Sequence, residues 1–450
     1  MLSDPIVALA TPPGRSAIAL IRLSGRGALA LAARCLSPFR PEPARVVARA
    51  TLHHPTTREP IDEVLTACFP EPHSYTGDDL VEISTHGGLL VPADALAALV
   101  AAGARLAEPG EFTRRAVLNG KMDLLQAEAT ADLIDAGSPA QRRRALQQLD
   151  RGLSQRLTGL RAEILELESL IAYDIDFPEE DEGPVSDTRV RGAWGVVRDR
   201  VQRLLATAPE GERLREGALV VIAGPPNAGK SSLFNALLGN ERAIVTEIPG
   251  TTRDAIEAHV VLEGFPFRLV DTAGLRSSQD RVEQIGIEVS RKYLGAADLV
   301  LLCDEGAGSG EWYERAQHEF LSQVSAPVVR VQTKIDLSGA PSAPQGAIGV
   351  STISGAGLDA LKRRLAEVAF GRLLSLGDVE PVVTRARHRA ALQQALTELD
   401  AFQAARAAGI DAAATATHLR AAVTALDDLI GVVTPDDVLD RVFGSFCVGK

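Results

Sequence analysis

Eight consecutive residues, Gly224-Pro225-Pro226-Asn227-Ala228-Gly229-Lys230-Ser231, bring together the groups that a phosphate needs. Glycines at both ends let successive backbone N–H groups face an anion with no side chain in the way. Lys230 has the reach for β and γ oxygens, and the Ser231 hydroxyl suits Mg²⁺. Such a loop works only if the chain around it is shaped correctly. Leu219-Val220-Val221-Ile222-Ala223 reads as a buried strand leading in, and Ser232 to Leu238 has helical spacing and stops at Gly239. Strand, loop and helix in that order put the anion at a helix N-terminus, where the backbone is electropositive.

Further polar residues follow predicted strands. Phe267–Val270 leads to Asp271-Thr272-Ala273-Gly274, and Leu299–Leu302 follows Asp298. Val328–Val331 leads to Thr333-Lys334-Ile335-Asp336, and Ala347–Val350 to Ser351-Thr352-Ile353. Strands alternating with helices predict a parallel doubly wound sheet, whose ligands lie at the carboxyl ends of the strands. Asp271 there suits Mg²⁺ through water, and the Gly274 N–H suits a γ-phosphate. Pro249-Gly250-Thr251-Thr252-Arg253-Asp254 offers a threonine that completes Mg²⁺ coordination only while triphosphate is present, the order–disorder switch of GTPases. Lys334 with Asp336 selects guanine, because a carboxylate accepts from both N1–H and the exocyclic amine, a donor pair adenine lacks. The Ser351-Thr352 amides are placed for the guanine O6. These motifs predict a Ras-like P-loop GTPase domain and disfavour a small-molecule kinase. Two departures stand out. Thr333 occupies the usual Asn of N-K-x-D, which weakens the base contact, and Leu275 stands where Ras-like enzymes carry a water-orienting Gln. Leucine positions no water, so another group must.

The rest of the chain must hold this site. At 450 residues, 46% hydrophobic and 24% charged, it has the composition of a globular protein of about three domains. No apolar run approaches the roughly 18 residues of a membrane span. Met1-Leu2-Ser3-Asp4-Pro5 lacks the basic and apolar regions of a secretion signal. Cys35, Cys68, Cys303 and Cys447 are too far apart for a metal cluster or disulfide framework, so a cytoplasmic location is expected. The net charge of −12 argues against broad nonspecific nucleic-acid binding, though not against a local basic patch.

Residues 1–120 mix short strands and helices in an α+β pattern, with Arg22, Glu82 and His86 as exposed polar candidates. His86 beside Gly87-Gly88 reads first as a turn residue and only second as a catalyst. From Lys121 the period becomes helical. Leu146, Leu149, Leu153, Leu157, Leu160, Ile164, Leu167 and Ile171 mark one face of a long helix, and Val190, Trp194, Val197, Val201 and Leu204 a second. Helical stripes return after about residue 384 with Leu392, Leu396, Leu399, Phe402, Leu419, Val423, Leu426 and Ile430. The simpler account is one helical domain interrupted by the nucleotide domain, each half burying its stripe against the other; the rival is two separate bundles. The expected boundaries are 1–120, 121–215, 216–371 and 372–450. Arg142-Arg143-Arg144 and Arg385, Arg387, His388 and Arg389 read singly as solvated helix faces, and together as candidates for RNA phosphates.

With the motifs placed, the whole chain resembles the bacterial tRNA modification GTPase MnmE (TrmE) family. The resemblance rests on Ile6-Val7-Ala8 with Thr11-Pro12-Pro13-Gly14-Arg15, Ser74-Tyr75-Thr76-Gly77, His86-Gly87-Gly88 and Pro109-Gly110-Glu111-Phe112-Thr113-Arg114-Arg115-Ala116. It continues through Asp123-Leu124-Leu125-Gln126-Ala127-Glu128-Ala129 to the terminal Phe446-Cys447-Val448-Gly449-Lys450. It implies a tetrahydrofolate-binding, dimerising N-terminal domain, a helical domain and an inserted GTPase. It also implies a flavoprotein partner, MnmG, which carries FAD, in a heterotetramer. The implied reaction places an aminomethyl or carboxymethylaminomethyl group at C5 of the wobble uridine of certain tRNAs, with the carbon supplied by a 5-formyl- or methylene-tetrahydrofolate. Arg22, Glu82, Lys121 and Lys450 would contact the folate. Asn227, Thr246, Ile248 and Thr251 would bind K⁺, which replaces an arginine finger when two GTPase domains meet. Ser231 and Thr252 would hold Mg²⁺, and Glu283 would orient the attacking water in place of the missing Gln. The implied GTP contacts are Asn227-Ala228-Gly229-Lys230-Ser231-Ser232, Thr246-Glu247-Ile248-Pro249-Gly250-Thr251-Thr252, Asp271-Thr272-Ala273-Gly274, Thr333, Lys334, Asp336 and Ser351-Thr352-Ile353. The family commonly has Gly-Arg-Pro where this loop has Gly224-Pro225-Pro226; Pro225 restricts the loop but removes none of these contacts. Cys447, four residues from the end, fits a prenylation box poorly, and its alternatives are a nucleophile in the tRNA chemistry or a structural, folate-proximal residue. The competing function is a GTPase switch in ribosome assembly or RNA binding, which would have no reason to bind folate.

Overall fold

The computed structural model of the chain describes residues 4–176, 186–225, 227–239, 257–271, 293–305, 324–337, 346–377, 380–431, 436–444, 446, 448 and 449. It divides into two compact units, Met1–Ala131 with Asp427–Lys450, and Asp132–Leu426.

Alternation builds the first unit. Its strands are β1 (Ile6–Leu9), β2 (Ile18–Ser24), β3 (Leu36–Ser37), β4 (Ala48–His53), β5 (Pro60–Phe69), β6 (Leu80–His86) and β7 (Arg105–Leu106), with α1 (Ala28–Cys35) and α2 (Val91–Ala102) between them. They form one seven-stranded sheet in the order β3-β4-β5-β6-β2-β1-β7. In β2, Ala19, Ile21 and Leu23 are buried, and in β6 Val81, Ile83 and Thr85. Ile21, Leu23, Val81 and Ile83 pack with Leu31 of α1 and Leu99 of α2 in one core. A strand has a side-chain period of two, so Arg22 and Glu82 are left on the opposite face. The antiparallel register sets them directly across from each other. Helices α3 (Glu111–Leu118) and α4 (Leu124–Asp135) follow.

The second unit begins with α5 (Pro139–Leu149), α6 (Gly152–Asp176), α7 (Asp187–Leu205) and α8 (Ala208–Glu216). Then come β8 (Ala218–Ala223), α9 (Lys230–Leu238), β9 (Glu257–Leu262), β10 (Phe265–Asp271), β11 (Leu299–Asp304), β12 (Val328–Gln332) and β13 (Ala347–Gly349). The six-stranded sheet runs β13-β12-β11-β8-β10-β9, parallel except for the β9–β10 hairpin. All six residues of the central strand β8 are buried, as expected when both faces of a parallel sheet are covered. Helices α10 (Leu358–Leu376), α11 (Ala386–Ala407) and α12 (Ala412–Ile430) follow, and α13 (Asp436–Phe443) returns to the first unit.

The GTPase fold is inserted into a helical domain whose halves meet. Leu153, Leu157, Leu160, Ile164, Leu167 and Ile171 of α6 are buried, as are Val190, Val197, Val201 and Leu204 of α7 and Leu392, Leu396, Leu399 and Phe402 of α11. Trp194 Nε1 on α7 donates to Leu399 O on α11 at 2.7 Å, and Arg198 pairs with Asp400 at 2.6 Å. The first stripe needs one correction. Arg151, in the left-handed region at φ 65°, separates α5 from α6, so Leu146 and Leu149 lie on a different helix from the rest, and Leu146 is exposed.

Candidate functional site

The phosphate loop joins β8 to α9. Lys230, buried at the start of α9, donates through Nζ to Gly224 O at 3.1 Å and Pro225 O at 2.7 Å, so its ammonium is folded over the loop. Ser231 Oγ donates to Asp271 Oδ2 at 2.6 Å. Neighbouring parallel strands β8 and β10 explain that meeting: the loop leaves β8 where Asp271 ends β10. A hydroxyl and a carboxylate in contact beside the lysine are the hard oxygen donors that Mg²⁺ takes. Ala228 is buried, Ser232 exposed, and Asn227 exposed in the left-handed conformation at φ 62° that asparagine tolerates.

The base side is tied to the same loop. Thr333, 2% exposed, donates from Oγ1 to Ala228 O at 2.9 Å and from N to Asp304 O at 2.7 Å. A threonine in the usual asparagine position therefore still fastens the base-recognition turn to the phosphate loop. Lys334, at φ 59°, donates to Asn227 O at 2.8 Å and pairs with Glu305. Asp336 is exposed two residues on. Ser351 is buried; its hydroxyl accepts from Ile353 N and Ser354 N, its own N–H donates to Ala356 O at 2.9 Å, and Ile353 projects into solvent. Burial pushes the Cys303 thiol up to about 12 despite the nearby Lys230, so under the loop it packs as a small neutral group. Thr246, Glu247, Ile248, Pro249, Gly250, Thr251, Thr252, Thr272, Ala273, Gly274, Leu275, Glu283, Cys447 and Lys450 lie outside the described residues.

A second polar cluster occupies the first unit. Arg22 Nε donates to Glu82 Oε1 at 3.0 Å, with each side chain about a quarter exposed. The Arg22 guanidinium also stands 6.0 Å from the centre of the Tyr75 ring. Burial holds the Tyr75 phenol above its ordinary pKa, and its OH lies 2.9 Å from Thr113 Oγ1. The end of the chain reaches this cluster: Val448 bridges to Pro109, and Gly449 O accepts from Arg22 Nη1 at 3.3 Å. Leu439, Phe443 and Phe446 anchor that tail against Leu124 and Ala127. Gly449 has φ 96°, and a Cβ there would lie 2.5 Å from Leu9 O. Arg22, Glu82 and the residue before Lys450 are thus brought together, while Lys121 donates to Pro72 O at 2.8 Å. A guanidinium, a carboxylate and an aromatic ring stand side by side here, each partly accessible.

Other candidates take structural roles. His86 is paired with Asp62 through Nδ1 at 2.7 Å and through its own N–H at 2.8 Å, at the end of β6. Three arginines of the basic clusters are engaged internally: Arg144 donates to Gly377 O and Glu380 O, Arg385 pairs with Asp132, and Arg389 with Glu212. Among the described residues no group of His, Cys, Asp and Glu is arranged to hold a metal ion, and no helix is long and apolar enough to cross a membrane.

Comparison with known proteins identifies the family of the chain. Family models described as "GTP-binding protein TrmE N-terminus" and "MnmE helical domain" match residues 5–121 and 124–447. The chain is 41% identical over 469 residues to the tRNA modification GTPase MnmE of Moorella thermoacetica, covering 100% of both chains. It is 44% identical over 453 residues to that of Methylorubrum populi, covering 99% of this chain and 98% of the relative. Among solved structures, the G domain of the T. maritima FeoB iron transporter aligns with 34% of this chain and 98% of its own at 30% identity, with a TM-score of 0.27. With full-length identity at this level and family models matching residues 5–121 and 124–447, the chain belongs to the MnmE family of tRNA modification GTPases.

Proposed function

We propose that this protein hydrolyses GTP in a Mg²⁺- and K⁺-dependent manner and, with an MnmG-type flavoprotein carrying FAD, modifies C5 of the wobble uridine (position 34) of certain tRNAs. The group added is aminomethyl or carboxymethylaminomethyl, with its carbon drawn from a tetrahydrofolate derivative. The observation that carries the nucleotide half is the contact of Ser231 Oγ with the Asp271 carboxylate beside Lys230. Lys230 draws the β and γ oxygens to the loop, and Asp336 accepts from the guanine N1–H and amine. Thr333 holds the two motifs in register through Ala228 O. With the Ser351 N–H donating to Ala356 O, the Thr352 amide is left for the guanine O6. Glu283 orients the attacking water. Bound Mg²⁺, on Ser231 and Thr252, and K⁺, on Asn227, Thr246, Ile248 and Thr251, would neutralise charge that develops on the transferred phosphoryl.

Residues 1–120 form the folate and dimerisation domain in this reading, 216–371 the GTPase, and 121–215 with 372–450 the helical domain. Arg22, Glu82, Lys121 and Lys450 hold the folate, with Cys447 close to it. The protein acts in the cytoplasm as a homodimer that joins its partner in a heterotetramer.

Two measurements test this. An arginine finger is worth roughly 10³–10⁵ in turnover, so replacing NaCl by KCl should raise GTP hydrolysis at least about tenfold; equal turnover in the two salts refutes the K⁺ assignment. Deleting the chain from its host should abolish the wobble-uridine modification, with rescue by the intact chain and not by one carrying Lys230→Ala. Unchanged tRNA would leave the chain a GTPase switch without modification chemistry.

A further inference from the structure

Among the described residues, one helix touches the connection into the GTPase sheet, the connection out of it and its hairpin turn. Helix α5 has 11 residues, opened by Ser138, whose side chain accepts from Gln141 N. At its first turn Ala140 N donates to Gly264 O, the turn of the β9–β10 hairpin, at 3.1 Å. Ala140 is buried in the same core as Phe265 and Phe267 of β10. Gln141 Nε2 donates to Arg215 O at 3.0 Å, just before the chain enters the sheet at β8. Arg144 donates to Gly377 O at 2.6 Å and Glu380 O at 3.0 Å, just after the chain leaves α10. Asp132, at the end of α4, adds a double ion pair: its Oδ1 accepts from Arg385 at 2.6 Å and from Arg215 at 3.4 Å. Incoming connection, outgoing connection and hairpin are therefore tied to one another.

The hairpin also runs to the nucleotide site. Strand β10 runs from Phe265, next to the turn that α5 holds, to Asp271, which contacts Ser231. A strand is stiff along its axis, so a displacement of Asp271 reaches Gly264. The junction has room to respond. Asp132, Asp135, Arg144, Arg215 and Thr384 line a cavity of about 210 Å³. The Thr384 hydroxyl is buried with no hydrogen-bond partner among the described residues. A buried hydroxyl without a partner is costly, so Thr384 gains from any rearrangement of this junction that brings it one.

We propose that α5 and Asp132 couple the nucleotide state at Asp271 to the helical domain, with Asp132, Gln141 and Arg144 as positioning residues that act through the β9–β10 hairpin. This rests on the reading of Asp271 as the nucleotide sensor. Coupling is reciprocal: if nucleotide biases the junction, loosening the junction must change the preference between nucleotides.

The test uses the full chain with Mg²⁺, GDP and a non-hydrolysable GTP analogue. In the unaltered protein, amide exchange across residues 139–149 should differ between the two nucleotides. Asp132→Asn and, separately, Gln141→Ala should change the ratio of the two dissociation constants at least about fivefold, the lower range of typical couplings. Gln141 is only half-buried, so its variant folds even if Asp132→Asn proves unstable. A purely structural role would weaken both nucleotides alike. Ratios within about twofold for both variants, with α5 exchange indifferent to nucleotide, overturn the proposal. Asp271→Asn separates the two failures. If it leaves the ratio unchanged, the sensor reading falls and the coupling falls with it. If it alters the ratio while the junction variants do not, the coupling fails alone.

Discussion

Gly224→Ala is expected to weaken GTP binding by about 100-fold or more, equivalent to about 2.7 kcal/mol and within the range of backbone strain at such sites. Gly224 has φ 145°, a conformation that L side chains rarely adopt, and a Cβ there would lie 2.3 Å from Cys303 O. The obstacle is backbone on a neighbouring strand of the same sheet, where β8 and β11 pair, so no rotamer change relieves it. Either the loop lifts away or the end of β11 moves. Both outcomes damage the site, because the next carbonyl, Asp304 O, accepts from Thr333 N and holds the base-recognition turn. One methyl group thus disturbs the phosphate and guanine contacts together. Titration with a fluorescent GTP analogue measures the loss, and amide exchange in β2 and β6 checks that the other unit is unaffected. Affinity preserved within about threefold would mean that the loop has a freedom this packing denies it.

The phosphate loop was legible because its signal is local: two glycines, a lysine and a serine within eight residues, framed by a strand and a helix. The interrupted helical domain was legible from periodicity alone, since the stripes on α6, α7 and α11 stop and restart around the sheet. Strand β9 escaped notice although its signal was present. Glu263 and Gly264, at φ 51° and 81°, make the tight turn that joins antiparallel strands, and Val-Val-Leu precedes them. The break at Arg151 was hidden for the opposite reason, because an arginine in the left-handed region announces nothing. The pairing of Arg22 with Glu82 is 60 residues apart in sequence and depends on register. Alternation predicts both strands but not which residues face each other, so only family resemblance pointed to the pair. The basic clusters show a limit of reading charge from sequence: Arg144, Arg385 and Arg389 hold carbonyls and carboxylates of their own chain.

A charge network in the first unit was equally invisible, and it carries the largest expected loss of stability. Glu111 and Arg115 are 3% and 1% exposed. Arg105 donates to both Glu111 oxygens at 2.6 and 2.8 Å, Arg115 to one at 2.9 Å, and Glu108 N to the other at 3.0 Å. Arg115 and Arg105 also reach Asp4, which ties the start of the chain to α3. Glu111→Gln removes the charge and turns an amide NH₂ towards arginine donors, leaving the half-exposed Asp4, among the described residues, as the remaining carboxylate partner of the buried Arg115. Breaking a buried pair in this way costs about 3–5 kcal/mol. The sign of the pH dependence follows from the carboxyl. Burial pushes Glu111 up, but the hydrogen bonds from Arg105, Glu108 N and Arg115 outweigh it and leave the group below its ordinary value of 4.5. A depressed carboxyl contributes its stability above the unfolded value and loses it as pH falls through the folded one. The gap between the unaltered protein and Glu111→Gln should therefore be full at pH 7 and shrink as the pH falls below about 4.5. Exchange of α3 and sheet amides at pH 7 and in acid reports this unit directly. A gap that stays constant across that range would show that Glu111 acts through shape rather than charge.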